Sequence, residues 1–264
     1  MTDLSEPTDP PVKKLAVDPD RAPPMVPPLG LGVATDHVMV EGWPVQSMRR
    51  GPPAHEADSG WTFASGLESS DELADPKRAG AYDLDLIANI DPDVLPFLTW
   101  PPGTVVERST PSSPLEVVEG PEQPPEVRLL PPVGPGPVRF SDAWRFMAPT
   151  RLLRWLDGAD LVLWRPGLQA MLAVYDGPAD PAARLAELAA QVHPDATHVE
   201  RSVQGGLARL SFRLEEAGSA AIFGFLRTAD HELHVALHFD DEQAEAHARA
   251  MLATAAHVAD EVQA

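Results

Sequence analysis

Thirty prolines in 264 residues constrain this chain more than any other feature, because proline lacks a backbone donor and breaks the interiors of helices and ladders. They are not spread evenly. Eight fall between Pro7 and Pro28, and eleven between Pro101 and Pro137. Between these two clusters lies a stretch of different construction. Asp58-Ser59-Gly60-Trp61-Thr62-Phe63, Ala81-Tyr82-Asp83-Leu84 and Asn89-Ile90-Asp91-Pro92-Asp93 put Asp, Gly and Pro at the breaks between apolar runs, the pattern of short elements joined by specified turns.

The clusters divide the chain. Residues 1–28 alternate acidic residues with Pro-Pro pairs, which favour extended polyproline conformations, and are expected to form a tail. Residues 110–139 hold too few apolar residues to cover a core and are expected to be a linker. The fold class that follows is α+β: two small α+β domains, residues 29–109 and 140–264, joined by that Pro-rich linker. A hydrophobic content of 44% suffices for both cores.

In the first domain, residues 31–34, 38–40 and 43–48 read as short strands with a hairpin turn at Glu41-Gly42. Residues 61–64 resume a strand. Residues 69–74 are expected to make one helical turn capped by Ser70, and Asp83 caps a short helix that ends at Asp91-Pro92. In the second domain, residues 140–157 read as a helical or partly helical segment. Hairpins are expected around Arg165-Pro166-Gly167, around Gly205-Gly206, and between residues 220–228 and 232–239. Asp180 with Pro181 starts one helix. Ala244, Ala248, Met251, Leu252, Ala255, Ala259 and Val262 form the apolar stripe of another across residues 241–262.

Charge narrows the function classes. The formal net charge is −20, and both halves are acidic: 22 acidic against 10 basic residues up to Phe140, then 18 against 10. Such a field repels phosphates and anionic lipid and accelerates encounter with a basic protein, so neither nucleic acid nor membrane is expected as a partner. Cysteine is absent, which excludes disulfides and thiolate sites. The start has no apolar leader core, and no run approaches a membrane span, so the protein is expected to be cytoplasmic. Seventeen arginines against three lysines point to a GC-rich bacterial genome.

No constellation carries a catalytic signature. Asp83, Asp85, Asp91 and Asp93 are the densest carboxylates, and a carboxylate-based hydrolase is the reading they would support. Their positions also suit a helix start and a turn, and that reading is preferred. His234 and His238 lie four residues apart in a strand pattern, roughly 13 Å, too far to share one ion. His231-Glu232-Leu233-His234 lacks the spacing of the helical zinc motif. No metal, no organic cofactor and no enzymatic activity are expected.

The spacing from Ala34-Thr35-Asp36 through Asp58-Ser59-Gly60-Trp61 and Tyr82-Asp83 to the segment ending at Arg108 resembles a bacterial family of unknown function among the immunity proteins of polymorphic toxin systems. This resemblance implies binding and stoichiometric neutralisation of a cognate toxin or effector protein. The inferred order of the second domain, two strands, helix, four strands, helix, is similar to the sandwich of Mog1-like and photosystem-P-like domains, most of which bind proteins. A secretion accessory or effector chaperone using the second domain is the alternative. The expected binding residues are Trp43, Glu56, Asp58, Asp71, Glu72, Asp83, Asp91 and Asp93: an indole next to a turn, and carboxylates that would steer a basic partner.

Overall fold

Gly32 decides how the first sheet is covered. A Cβ there would meet Leu84 Cδ2 and Phe63 Cε2 at 2.8 Å, so glycine lets a helix approach the strand backbone closely. The computed structural model that shows this describes residues 13–216 and 219–258. They fall into two compact units that divide after Gln123. Both mix helices with sheets, and strands predominate.

In the first unit the elements run β1 (Leu31–Thr35), α1 (Asp36–Met39), β2 (Ser47–Arg50), β3 (Asp58–Ala64), α2 (Ser70–Ala74), β4 (Ala79–Asp83), α3 (Leu84–Ile90), β5 (Val105–Glu107) and β6 (Glu116–Glu119). Short 3-10 helices occupy Pro76–Arg78 and Pro92–Phe97. The six strands form one sheet in the order β4-β1-β3-β2-β5-β6. Strand β1 runs parallel to β3 and antiparallel to β4, and the expected hairpin at Glu41-Gly42, between residues 38–40 and 43–48, does not form. Residues 36–39 are helix instead. Trp61, Phe63, Met48 and Val106 project from the covered face and are buried with Leu84 and Ile87 of α3.

The caps follow local chemistry. Asp83 accepts from the amide of Asp85 at 2.9 Å and starts α3. The cap of α2 is Ser69 rather than Ser70. Ser69 Oγ accepts from the Glu72 amide at 3.3 Å, while Glu72 Oε2 accepts from the Ser69 amide at 3.0 Å, a reciprocal capping box.

Two expected segments are corrected. Residues 13–28, read as tail, are bound to the first unit. Lys13 Nζ donates to Asp36 Oδ1 at 2.5 Å, the Ala16 amide to the Met39 carbonyl at 2.8 Å, and the Met25 and Val26 amides to Asp85 Oδ1 at 2.5 and 2.9 Å. The rest of that tail, residues 1–12, lies outside the described residues. The expected linker, residues 110–139, holds β6 and two strands of the second unit, β7 (Val127–Val133) and β8 (Gly136–Arg139). Proline is tolerated in β7 because that strand is at the sheet edge, and Pro131-Pro132 falls where its register with the neighbouring strand shifts.

The second unit continues with β9 (Trp144–Ala148), β10 (Leu152–Asp157), β11 (Asp160–Arg165), β12 (Leu168–Asp176), α4 (Pro181–Ala190), β13 (Thr197–Gln204), β14 (Leu207–Glu216), β15 (Ser219–Arg227), β16 (His231–Phe239), α5 (Glu242–Thr254) and β17 (Ala256–His257). Eight strands form one sheet, β13-β14-β15-β16-β12-β11-β10-β7, and three form another, β17-β9-β8. The helical reading of residues 140–157 is overturned by β9 and β10. Trp144, Phe146 and Ala148 are buried and alternate with the half-buried Arg145 and the exposed Met147, which is period two rather than 3.6.

The hairpins at Pro166-Gly167, Gly205-Gly206 and residues 228–230 form as expected. Gly205 and Gly206 both have positive φ, 58° and 81°, the backbone a tight two-residue hairpin requires. Asp180 caps α4 by accepting from the Ala183 amide at 2.7 Å. Helix α5 and the small sheet share one core with the large sheet through Ala244, Ala248, Met251, Trp144 and Phe146. Helix α4 packs Leu185 and Leu188 on Ala208, Leu210 and Phe212. The stripe expected across residues 241–262 is cut at Thr254, and residues 259–264 lie outside the described residues. Among the described residues no helix is long and apolar enough to cross a membrane.

Candidate protein-binding face

Because successive strand residues point to opposite faces, the small residues of Leu31-Gly32-Val33-Ala34 turn inward and the large ones outward. Leu31 and Val33 are accordingly exposed. They lie on the face of the first sheet opposite α3, on the strand next to its β4 edge. Leu31 pairs with Asp58 on one side and Asp83 on the other. Val33 pairs with Thr62, which pairs in turn with Arg49. Across one end of this face lie α2 and the 3-10 turn after it, bringing Glu72, Leu73 and Arg78 beside Val33, Thr62 and Arg49 around a cleft of about 300 Å³. Leu73 is 62% exposed. Apolar side chains in the middle with charged side chains at the rim is the anatomy of a protein contact surface.

Local hydrogen bonds lower the pKa of two carboxylates of this face, Asp58 and Glu72. Amides of Ala54 and Gly60 donate to Asp58 at 2.7 and 2.8 Å and hold its carboxyl below the ordinary range. The amide and hydroxyl of Ser69 do the same for Glu72, 3.0 and 2.9 Å from its Oε2.

Trp43 is joined to this face through a short polar chain. It follows Gly42, whose φ is +76°, and its indole is 43% exposed. Trp43 Nε1 donates to Glu41 Oε2 at 3.2 Å. That oxygen lies 3.3 Å from His37 Nδ1, and His37 Nε2 lies 3.5 Å from Glu72 Oε1. Trp43 and Glu72, 29 positions apart in sequence, thus both lie near His37, Trp43 by way of Glu41.

The remaining expected residues divide. Asp71 is exposed in the first turn of α2, and Glu56 is exposed in the turn before β3. Asp91 is not a surface residue. It is 5% exposed, lies 2.6 Å from Arg108 Nη2, and accepts from the Val45 amide at 2.8 Å. Asp93 is exposed but also faces Arg108, 3.1 Å from Nη1. Burial of Asp91 follows from an arginine 17 positions later, whose charge offsets the cost of removing a carboxylate from water.

The carboxylates considered for acid-base chemistry do not converge. Asp83 caps α3, Asp85 ties down the Met25 and Val26 amides, and Asp91 is held by Arg108. Among the described residues no group of three or more His, Asp or Glu side chains has a metal-binding arrangement. His234, at one end of the histidine pair considered for an ion, packs its ring 4.7 Å from Phe225 and 4.8 Å from Tyr175.

Reasoning from the residues alone missed Leu31, Val33, Leu73, Arg49 and Arg78. The alternation of small and large residues in Leu31-Gly32-Val33-Ala34 was the available signal for the first two. Nothing local marked the rest, because α2 reaches this face only through the tertiary fold.

Compared with known proteins, residues 33–118 match the family model of the Immunity protein Imm33 domain. The matched segment runs from β1 into β6 and contains the whole cleft. No curated protein and no solved structure matches the chain.

Proposed function

We propose that this chain is a cytoplasmic bacterial immunity protein that neutralises a cognate toxin by binding and covering it, one molecule for one molecule, without chemistry of its own. The observation that carries this reading is the match to an immunity domain over the same strands that expose Leu31 and Val33 between Asp58 and Asp83. The apolar centre supplies desolvated contact, and the rim supplies orientation.

The net charge of −20 favours a toxin more basic than its inhibitor, since opposite fields raise the encounter rate. Trp43 is the anchor of choice. Its large, exposed ring is already oriented by Glu41, so little side-chain freedom is lost on binding.

The test is to express the chain together with a toxin-domain protein encoded beside it and to follow growth while the ratio of the two is varied. Protection that ends once toxin exceeds this protein supports occlusion. Protection at far substoichiometric amounts would sink it and point to an enzyme.

A further inference from the structure

The rim of the cleft in the first unit has a sign opposite to that of the protein. Arg49 and Arg78 line it together with Val33, Thr62 and Leu73, and neither guanidinium forms a hydrogen bond or ion pair among the described residues. Three other cations near this sheet are engaged. Arg108 is held by Asp91 and Asp93, Arg50 donates to the carbonyl oxygens of Ser59 and Trp100, and Lys13 is paired with Asp36. In a chain with twice as many carboxylates as cations, two arginines in one cleft that form no ion pair among the described residues mark a place where the partner brings the carboxylate.

The one anion at the rim, Glu72, is committed elsewhere. Its Oε2 accepts from the amide and hydroxyl of Ser69, and its Oε1 faces His37 at 3.5 Å. The floor beside the arginines is the Val33 and Thr62 row of the sheet, with Leu73 as the opposite wall. A volume of about 300 Å³ admits one or two side chains.

We propose that this cleft seats a glutamate or aspartate side chain of the bound protein, held by Arg49 and Arg78, with an adjacent aliphatic side chain against Val33 and Leu73. Guanidinium groups donate to a carboxylate in a fixed fork, and apolar walls strengthen that contact by excluding water. Long-range attraction and close contact then use opposite charges. The acidic surface draws in a basic protein, and the cleft selects, among basic proteins, one that presents a carboxylate beside an apolar residue. The inference rests on the binding function proposed above.

The full chain, labelled with nitrogen-15, is titrated with the peptide Ac-Leu-Glu-Leu-NH2 and with its glutamine counterpart. Saturable shifts of the Arg49 and Arg78 side-chain resonances and of the Val33 and Thr62 amides, with the glutamate peptide alone, are expected. They should vanish in Arg49→Ala/Arg78→Ala and persist, weakened, in Arg49→Lys/Arg78→Lys. Equal shifts with both peptides, shifts scattered elsewhere, or no saturable change overturn the proposal.

A growth assay with the neighbouring toxin separates this idea from the function it rests on. At matched, folded levels the double alanine variant should need roughly tenfold more protein to protect, the loss expected for a desolvated charge-assisted contact. If it protects as well as the parent chain, the cleft proposal falls and immunity stands. If the parent chain itself fails to protect, the immunity reading falls and the peptide titration still decides what the cleft binds.

Discussion

Arg108 Nη2 lies 2.6 Å from Asp91 Oδ2, and both side chains are almost fully buried. The pair ties the chain after β5 to the start of the 3-10 helix at Pro92, and Asp91 also receives the amide of Val45. One carboxylate therefore fixes three segments of the first unit.

Removing either partner strands the other charge inside the protein. Arg108→Ala and Asp91→Ala are each expected to lower unfolding free energy by about 3–5 kcal/mol. Asp93→Ala, at a side chain 63% exposed, should cost under about 1 kcal/mol. Urea titrations of the three variants check the ranking, and equal losses at Asp91 and Asp93 would contradict it.

Gly60 has φ +77°, and a Cβ there would collide with the carbonyl oxygen of Gly51. That close approach lets residues 51–60 close the turn that leads into β3, through a bond from the Gly51 amide to the Gly60 carbonyl at 2.8 Å. Gly60→Ala should cost about 1–3 kcal/mol. Gly103→Ala, which has positive φ but open space around it, should cost less. Thermal unfolding of the two variants distinguishes strain alone from strain with a clash.

Glu68 joins β1 to the turn after β3. Partial burial opposes its ionisation, yet hydrogen bonds from Thr35 and from the amide and hydroxyl of Ser65 hold its carboxyl below the usual value of 4.5. A depressed carboxylate binds its proton less readily in the folded state than in the unfolded one. Its stabilisation is therefore complete above the unfolded value and is lost as pH falls through the folded value. Thr35→Val should be less stable than the parent at pH 7, and the gap should narrow between about pH 5 and about pH 3. A gap independent of pH would remove Glu68 as its cause.

At the proposed binding face, Trp43→Ala is expected to speed dissociation from the proposed toxin partner roughly tenfold with little change in association. Asp58→Asn with Asp83→Asn should slow association modestly, and this effect should fade as salt rises past a Debye length of about 8 Å. Kinetics at several ionic strengths give both answers. Salt-sensitive dissociation with constant association would reverse the assignment.

Much of the fold was legible where the chemistry is local. Asp83 before Leu84, Asp180 before Pro181, and the Gly205-Gly206 turn each satisfy or bend a backbone within four residues, so the residue types alone specify the caps of α3 and α4 and the β13–β14 hairpin. The immunity-like segment was legible for the same reason: its turns punctuate the chain at residues that can be read without knowing their partners.

What only the tertiary structure decided was non-local. Strand β1 takes β3 and β4 as neighbours rather than the next apolar run, and proline-bearing β7 and β8 find places at sheet edges where missing donors cost little. Asp91 and Asp83 look alike in sequence, two aspartates at helix starts eight positions apart. Arg108 buries one, and among the described residues no cation pairs with the other. The uncovered face depends on the same distinction. Helix α3 requires glycine at position 32 and so turns Leu31 and Val33 outward, while α2 folds back to set Arg78 beside Arg49. Periodicity assigns side chains to two faces, but which face is covered, and which charges are left unmatched there, depends on contacts between residues far apart in the chain.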